Sequence, residues 1–550
     1  MKTVLIGINS KYIHPALSIY QLAKNTTYDV TTKEFTIKDS VDNIFEYILN
    51  KKPDFIGFSV YIWNIEIVKN LSTLIRKSLP NTLILYGGPE VSFDPENYLN
   101  KGLADFIIYS EGEESFHLLI DALSNNRLLT DVPNLVFLDN NNVVKTPNIL
   151  PDLNKVKLAT LDVLDYEKRI VYLESSRGCP YRCSYCVAST SNTLRMFPLS
   201  YILDILKTLM EKKVKTVKFL DRTFNADTLY LLTILDFIEK NNICTTFQFE
   251  IVVDRLTEDL ITKIGSYKKS SLRFEVGIQS TNDLVNKSIR RHQNMDLLKK
   301  NVLLLNNYPH ITLHVDLIAG LPYEDLNSFR NSFNETFALF SEELQLGFLK
   351  FLKGTHLMTM IDEHEYIYDS KPPYEIIQNK YISKAELEEI HKVASTLEKF
   401  YNSGRFNNFW EYIKENNIID NYYKFFLDLY NYLESLSFSY FNYQIIDLFN
   451  HFDDFLKTVF PIIYEDIHTA LIVDYYSFFK VKPKAWRSTS LTKEEKQIIY
   501  PLIINKLLGY SIEDLYRYAV VLKLNDNYLV CFYQQHKNKV FFINKTKEGI

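Results

Sequence analysis

Glycine is scarce in this sequence, with 15 glycines in 550 residues against an average share of about 7%. A glycine cluster therefore marks a place where the backbone needs special freedom. Basic residues are not in excess either, since 62 Lys and Arg against 67 Asp and Glu give a net charge of −5. This balance gives no indication of a nucleic-acid partner or an anionic membrane. Uncharged apolar runs long enough to span a membrane are also missing.

Cysteine is rare as well, and its placement is uneven. The five cysteines are Cys179, Cys183, Cys186, Cys244 and Cys531, so three of them fall within a short stretch. The apolar run at residues 3–8 is too short for a signal peptide and is typical of a strand. We therefore predict a cytoplasmic protein, in which the clustered cysteines are metal ligands rather than part of a disulfide framework.

The composition, 46% hydrophobic and 23% charged, is that of a globular chain. Strand and helix patterns alternate over residues 1–125, and a hairpin pattern follows at residues 134–147. Strands separated by single helices predict a parallel, doubly wound, Rossmann-like sheet with its ligand site at the carboxyl ends of the strands. Six further strand–helix repeats predict a partial (β/α)6 barrel. The remaining pattern is mainly helical and rich in Tyr and Phe. The predicted domains are residues 1–147, 170–356 and 357–550, with a linker at 148–169.

The three clustered cysteines follow the first strand of the second region, in the sequence ESSRGCPYRCSYC (residues 174–186). Their spacing is Cys-x3-Cys-x2-Cys, and Gly178 and Pro180 supply the bends that bring thiolates together. Four thiolates complete a [4Fe–4S] site, so three leave one iron open to a substrate. A structural zinc site is the alternative, but it needs a fourth ligand. No histidine lies between His117 and His292.

At this motif the chain resembles the radical S-adenosylmethionine (SAM) superfamily, and further motifs at later strand ends extend the resemblance from residue 170 to about 355. The resemblance implies that Cys179, Cys183 and Cys186 bind three irons and that SAM chelates the fourth. The reduced cluster would then cleave SAM to a 5′-deoxyadenosyl radical. The positions that bind SAM in relatives correspond here to Tyr185, Asp221, Glu250, Gln279, Ser280, Arg291 and Asp316. Taken singly, Gln279 could be a polar core residue and Arg291 a solvated helix charge.

The first region resembles the cobalamin-binding domains of B12-dependent radical SAM enzymes. The loops GGPEVS (residues 87–92) and YSEGEES (residues 109–115) carry this resemblance. It implies cobalamin contacts from Ser59, Tyr61, Gly87, Gly88, Glu111, Gly112 and Glu113. No Asp-x-His-x-x-Gly motif is present, and His14 is interpreted as a hydrogen-bonded structural residue rather than a cobalt ligand. The alternative for this region is a Rossmann-like module that no longer holds cobalamin.

The last region resembles a C-terminal domain of unassigned function found in a subset of these proteins. Its aromatic stripe over residues 422–430 has helical spacing, which is typical of a core, with substrate stacking as the alternative. The basic loop KPKAWRSTS (residues 482–490) could contact a phosphate, a protein or only water.

Together the resemblances imply a cobalamin-dependent radical SAM enzyme with three cofactors: a [4Fe–4S] cluster, SAM and cobalamin. Methyl transfer to an unactivated carbon of an unknown substrate is the commonest outcome in the group. Cyclisation, oxidation or rearrangement without methyl transfer is a second hypothesis, and a non-catalytic iron–sulfur binding or sensor protein is a third. The expected partner is an external electron donor of the flavodoxin or ferredoxin type, and neither a membrane nor a nucleic acid is indicated.

Overall fold

The first sheet of the computed structural model has seven strands in the order β2-β1-β3-β4-β5-β6-β7. The structure describes residues 1–191, 193–487, 491–507, 509–524, 527–534 and 537–544. The strands are β1 (Thr3–Asn9), β2 (Val30–Thr36), β3 (Phe55–Ser59), β4 (Leu83–Gly87), β5 (Phe106–Ile108), β6 (Leu135–Asp139) and β7 (Asn142–Lys145). The helices are α1 (Leu17–Lys24), α2 (Val41–Lys51), α3 (Ile65–Ser78), α4 (Pro95–Asn100) and α5 (Glu113–Asn125).

This sheet is covered on both faces because its strands are apolar on both faces. Val4, Ile6 and Ile8 of β1 pack in a core cluster with residues of α2 and α3, whereas Leu5 packs with residues of α1 and α5. Successive strand side chains point to opposite faces, so a continuous apolar run predicts two buried faces. Strands β1 to β5 are parallel, and β6 and β7 form the predicted antiparallel hairpin.

A six-stranded sheet follows in the order β15-β14-β13-β12-β11-β8. Its strands, with a short antiparallel pair, are β8 (Val171–Leu173), β9 (Ser176–Arg177), β10 (Arg195–Met196), β11 (Thr216–Phe219), β12 (Thr246–Ile251), β13 (Ser271–Gln279), β14 (Ile311–Ala319) and β15 (Glu343–Phe348). The helices between them are α6 (Leu199–Glu211), α7 (Thr228–Asn241), α8 (Glu258–Gly265), α9 (Asp283–Ser288), α10 (Met295–Asn306) and α11 (Leu326–Phe337).

The sheet has a buried apolar side and a polar lumen. On β13 the residues Leu272, Phe274 and Val276 are buried, and the residues that alternate with them are half-buried. Among these lumen residues, Glu275 accepts hydrogen bonds from Lys218 Nζ at 2.9 Å to each carboxylate oxygen. Side-chain caps start several of the outer helices, as Asp227 does for α7 and Asp325 does for α11. These features confirm the predicted partial barrel.

The rest of the chain is mainly helical and ends in three antiparallel strands. Its elements are β16 (Ile367–Tyr368), β17 (Ile376–Gln378), α12 (Lys384–Leu397), α13 (Asn407–Asn416), α14 (Tyr422–Ser435), α15 (Ile445–Val459), α16 (Tyr464–Phe478), α17 (Lys493–Lys506), α18 (Ile512–Tyr518), β18 (Ala519–Leu524), β19 (Asn527–Gln534) and β20 (Lys537–Asn544).

The described chain divides into two compact units. The first contains residues 1–341 and 346–387, and the second contains residues 342–345 and 388–550. The Rossmann-like sheet and most of the barrel therefore belong to one unit, and the aromatic-rich helices belong to the other. The predicted fold class is confirmed, whereas the limits drawn from the sequence for the individual domains stay predictions.

Candidate functional site

The loop after β8 brings the three clustered cysteines to one cavity at the carboxyl end of the barrel strands. Cys179 and Cys183 are buried and Cys186 is half-buried. All three line a cavity of about 280 Å³, which we call the cysteine cavity. Gly178 has a φ of +90°, and a Cβ there would lie 2.0 Å from the carbonyl oxygen of Thr193. Only glycine fits this bend, so the glycine before the first cysteine shapes the loop.

The chemistry of this donor set fits an iron–sulfur cluster. Three thiols that converge on one cavity are the ligands such clusters use. Burial raises the pKa of the Cys186 thiol, so a bound metal would have to compensate for the cost of the thiolate. Within the described ranges, no group of three or more His, Cys, Asp or Glu side chains is arranged to hold a metal ion. The assignment of the three cysteines as cluster ligands therefore stays a prediction that rests on their convergence and spacing.

Five of the seven predicted SAM-binding residues line the same cavity as the cysteines. They come from the cluster loop, from the neighbouring strands β12, β13 and β14, and from the segment between α9 and α10, and they are Tyr185, Glu250, Gln279, Asp316 and Arg291. Burial raises the pKa of the Glu250 carboxyl, while Arg222, whose guanidinium lies 3.8 Å away, acts in the opposite direction. The structure therefore brings together residues that are up to 137 positions apart, counted from Cys179 to Asp316.

Gln279 has features that indicate a ligand contact rather than a core role. Its φ is +69°, it is 8% exposed, and its Oε1 is buried without a hydrogen-bond partner. A Cβ at Gly277 would lie 2.2 Å from Gln279 Nε2, so the glycine two residues earlier leaves room for this side chain. A buried unpaired amide oxygen in a strained backbone costs free energy, and such sites cluster where ligands bind.

Arg291 braces the cluster loop against the end of β13. Its guanidinium donates to the carbonyl oxygen of Gly277, to Tyr185 Oη at 3.5 Å and to Cys183 Sγ at 3.9 Å. The pKa of Arg291 is raised, because the tyrosine and cysteine groups outweigh the burial that would lower it. Arg291 therefore ties the segment around Cys183 and Tyr185 to the backbone of β13.

Two predicted SAM residues point elsewhere and have structural partners. Asp221 is buried and accepts from the Ser175 backbone N–H at 2.9 Å and from the Ser175 and Ser176 hydroxyls. It therefore fixes the start of the cluster loop. Ser280 is fully buried and donates to Glu324 Oε1 at 2.6 Å. Neither side chain lines the cavity.

The structure adds cavity residues that the sequence did not single out. The additional polar residues are Tyr181, Arg222, Thr223, Glu275, Arg290, His292 and Gln293. Glu275 lies two residues before Gly277 on β13, so strand alternation could have placed it in the lumen. Thr223 contacts Cys179 Sγ through its hydroxyl at 3.4 Å, and no local sequence signal indicates that contact.

All seven predicted cobalamin contacts line a second cavity, of about 470 Å³, which we call the strand-end cavity. They lie at the ends of β3, β4 and β5, and they are Ser59, Tyr61, Gly87, Gly88, Glu111, Gly112 and Glu113. Gly88 has a φ of +120°, and a Cβ there would lie 2.4 Å from the Val60 carbonyl oxygen. Only glycine fits at this strand end, because a side chain would collide with the backbone at Val60.

The two acidic residues among the predicted cobalamin contacts, Glu111 and Glu113, bind arginines. Arg177 of the cluster loop donates to Glu111 Oε2 and Glu113 Oε1, each at 2.5 Å. Arg195 on β10 also donates to Glu111. The carboxylates therefore join the first sheet to the cluster loop, and their contact with cobalamin stays a prediction.

His14 has the structural role that the sequence suggested. Its Nδ1 lies 2.7 Å from Tyr172 Oη, and the two rings are stacked. Burial, followed by the nearby cations Lys218, Lys11 and Arg169, lowers the pKa of His14. A neutral histidine that is hydrogen-bonded to a tyrosine needs no metal to explain its position.

Arg222 lines both cavities. It follows Asp221 after β11, its side chain is 60% exposed, and it contributes to the walls of the cysteine cavity and of the strand-end cavity. Glu174 and Leu220 stand beside it in the strand-end cavity. A molecule held at Arg222 would therefore face both cavities at once.

In the second unit the aromatic stripe forms a core. Tyr422, Tyr423, Phe425 and Phe426 of α14 are buried, and Phe425 and Phe426 both pack against Trp410. This confirms the core interpretation. In the basic loop, Trp486 is buried and donates to Asn450 at 2.8 Å, and Ser488, Thr489 and Ser490 lie outside the described residues.

Two known family models match the two regions of the chain that contain these cavities. The family model described as a B12 binding domain matches residues 4–120, and that of the radical SAM superfamily matches residues 173–335. The chain therefore carries a B12-binding domain followed by a radical SAM domain. Residues 362–508 match a family described as a protein of unknown function, DUF4080. The predicted pairing of a cobalamin-type domain with a radical SAM domain is therefore confirmed.

The curated relatives are distant. The cobalamin-dependent radical SAM methyltransferase TokK of Streptomyces tokunonensis is 26% identical over 318 residues, which are 54% of this chain and 45% of TokK. An uncharacterized methyltransferase of Pyrococcus horikoshii is 23% identical over 304 residues, 52% of this chain and 66% of that protein. The chain spans about half the length of the curated relatives it matches.

Solved structures share the fold. The cobalamin-dependent SAM radical enzyme OxsB with aqua-cobalamin bound gives a TM-score of 0.60 at 16% identity, covering 93% of this chain and 82% of OxsB. TsrM of Kitasatospora setae, solved with cobalamin and a [4Fe–4S] cluster, gives 0.56 at 15% identity, covering 66% and 75%. In the described part of this chain, none of the helices combines the length and hydropathy needed to cross a membrane.

Proposed function

We propose that this protein is a cobalamin-dependent radical SAM enzyme that methylates an unactivated carbon of its substrate. One observation carries the proposal: the three-cysteine cavity and the glycine-walled strand-end cavity lie in one unit, and Arg222 lines both. When bound, the cluster and SAM would supply a carbon radical, and cobalamin would supply the methyl group. The protein's task is then to hold both cofactors against one substrate carbon and to exclude water.

The residues present fit the three cofactors. Cys179, Cys183 and Cys186 would hold the cluster, and the unpaired Oε1 of Gln279 offers SAM a hydrogen-bond acceptor. Glu250 and Asp316 add carboxylates, which suit the amino group of SAM. Gly88 and Gly112, which line the strand-end cavity, would lie against the corrin.

The proposed location and electron source follow from the same chemistry. Clustered thiols and a SAM-binding cluster need a reducing compartment, so we place the protein in the cytoplasm. The chain would receive electrons from an external donor of the flavodoxin or ferredoxin type, since reduction of the cluster starts the proposed reaction.

The proposal is tested with the full chain, reconstituted anaerobically with iron, sulfide and hydroxocobalamin. With SAM and a reductant, we expect two products by mass spectrometry: 5′-deoxyadenosine from the radical step and S-adenosylhomocysteine from methyl transfer. 5′-Deoxyadenosine alone would favour radical chemistry without methylation. Neither product, from a protein whose cluster is shown to be loaded, would favour a binding or sensor protein and would contradict the proposal.

Glu250 offers a sharper version of this test. Glu250→Gln keeps the shape of the side chain and removes its charge, so SAM affinity should fall roughly tenfold while iron content is unchanged. The electron paramagnetic resonance (EPR) signal of the reduced cluster, titrated with SAM, measures this affinity. An unchanged titration would remove Glu250 from the SAM site.

A further inference from the structure

A buried group of charges joins the cluster loop to the first sheet. Arg177 Nη1 donates to Glu111 Oε2 at 2.5 Å, and Arg177 Nη2 donates to Glu113 Oε1 at 2.5 Å. Glu174 Oε2 accepts from the same guanidinium, at 3.1 Å from Nε and 2.9 Å from Nη2. One arginine fork therefore contacts three carboxylates, of which Glu111 lies between β5 and α5 and Glu113 is the first residue of α5. We call Arg177, Glu111, Glu113 and Glu174 the arginine clamp.

The clamp is buried enough for its charges to depend on one another. The side chain of Arg177 is 11% exposed and that of Glu113 is 6% exposed. Burial alone would lower the pKa of Arg177, but the Glu174 and Glu113 carboxylates outweigh burial and raise it. Removing one member of such a group leaves its partners charged and unsolvated, which is far more costly than losing a surface ion pair.

The clamp stands where the two proposed cofactor sites meet. Arg177 lies two residues before Cys179, and Glu113 is the first residue of α5. All four clamp residues line the strand-end cavity. On the other side, Arg177 pairs with Arg195 across β9 and β10, and Arg195 also binds Glu111. A shift of residues 109–115 would therefore move the segment that positions Cys179.

We propose that Arg177 is a positioning residue that fixes the corrin-side loop, residues 109–115, to the cluster loop. It sets the distance between cobalamin and the [4Fe–4S] cluster, and cobalamin affinity depends on it. This inference rests on the proposed function, because it requires that the chain bind both cofactors. Arg177 acts through Glu111 and Glu113 and is not assigned a contact with either cofactor.

Two measurements on the full chain, reconstituted anaerobically, test the proposal. Titration with hydroxocobalamin, followed by absorbance, gives the cobalamin Kd. Pulsed EPR of the protein, with cob(II)alamin and the dithionite-reduced cluster both present, gives the magnetic coupling between the two spins. That coupling reports the separation of the two spins. If Arg177 acted only in folding, its substitution would not change this separation in the folded molecules.

Arg177→Gln should raise the cobalamin Kd roughly tenfold and broaden or weaken the coupling in the molecules that still hold both cofactors. Arg177→Lys keeps the charge but loses the fork that contacts three carboxylates, so it should fall between wild type and Arg177→Gln. Glu113→Gln breaks the clamp from the side of the first sheet, outside the cluster loop, and should show the same two changes.

Lys353→Gln is the matched control. Lys353 Nζ lies 3.1 Å from buried Glu90 and 2.9 Å from Tyr98 Oη, so it is also a partly buried charge that binds the first sheet. None of these three residues lines either cofactor cavity. This variant should lower thermal stability but leave the cobalamin Kd and the coupling at wild-type values.

The outcomes separate the two proposals. If the wild-type chain binds no hydroxocobalamin, the proposed function fails before any variant is compared. If wild type binds both cofactors and Arg177→Gln matches it in Kd and coupling, only the clamp proposal fails. If Arg177→Gln does not assemble a cluster, Glu113→Gln decides: wild-type values there would overturn the proposal. The clamp proposal is also overturned if Lys353→Gln changes the coupling as much as Arg177→Gln does.

Discussion

The two units of this protein use buried charge in different ways. In the first, charged and amide groups gather at strand ends and face cavities, and one of them, Gln279 Oε1, lacks a hydrogen-bond partner. In the second, buried Asp453 is matched by Tyr464, His468 and Arg487, and its pKa is lowered because these partners outweigh the burial that would raise it. Unsatisfied polar atoms beside a cavity indicate a ligand site, whereas a closed network indicates a structural role.

The largest expected effect is on the cluster. Cys183→Ala removes one of three proposed ligands, so iron binding and SAM cleavage should fall to background while the chain stays folded. Cys244→Ala is the control, since Cys244 is exposed and outside the cavity. Iron analysis and 5′-deoxyadenosine formation check both variants. A Cys183→Ala protein that still cleaves SAM would contradict the ligand assignment.

The second effect concerns stability in the other unit. Phe452 of α15 is fully buried and packs against Phe400, Phe406 and Phe409. Phe452→Ala should cost about 3–5 kcal/mol of unfolding free energy, whereas Phe441→Ala, at a 94% exposed position, should cost almost nothing. Chemical denaturation measures both. If the aromatic helices are only a structural core, the Phe452→Ala protein that remains folded should bind cobalamin normally.

The third effect is at the cavity wall. Gly88→Ala places a Cβ against the Val60 carbonyl at a φ that other residues avoid, which should cost about 1–3 kcal/mol and weaken cobalamin binding. Gly102→Ala is matched, because Gly102 has a φ of +66° in the same sheet domain but nothing lies within 4 Å of its Cβ position. Gly102→Ala should cost about 1 kcal/mol and leave cobalamin affinity unchanged. Equal affinities in the two variants would remove Gly88 from the site.

The smallest effect is a pH dependence. Burial raises the pKa of the Glu324 carboxyl to about 8, against hydrogen bonds from Ser280 and Ser332 that lower it. The folded protein then holds a proton that the unfolded chain releases near pH 4, so stability should decrease as the pH rises from about 4 to 8.

Glu324→Gln keeps one acceptor oxygen and cannot ionise. The difference in melting temperature between wild type and this variant should therefore change with pH across that window. Parallel curves for the two proteins would show that Glu324 does not titrate in the folded state.

Much of the fold and of the site could be predicted because the signals are local. Apolar runs of five to seven residues separated by helical patterns indicate a parallel sheet, and the spacing of the cysteines indicates one loop. The direction in which each side chain points was harder to predict. Gln279 and Ser280 are neighbours at the end of β13, yet one faces the cavity and the other faces Glu324. A strand end places a residue near the site, but its backbone φ decides where the side chain points.

Contacts between distant segments were beyond the sequence pattern. Arg177 is separated from Glu111 by 66 residues and from Glu113 by 64, and no periodicity links them. The sequence indicated Glu111 and Glu113 as cobalamin contacts, which stays a prediction, but it did not indicate that their carboxylates bind arginines. Arg222 was also missed as a site residue, because its importance lies in the junction of two cavities rather than in its motif.

Metal and corrinoid analysis of the anaerobically reconstituted full chain tests the central claim most directly. If the two cavities of the first unit hold a cluster and a corrin together, each chain should contain about four irons and about one cobalt. Iron without cobalt would contradict the cobalamin site and, with it, the proposed methyl transfer. Cobalt without iron would contradict the cluster.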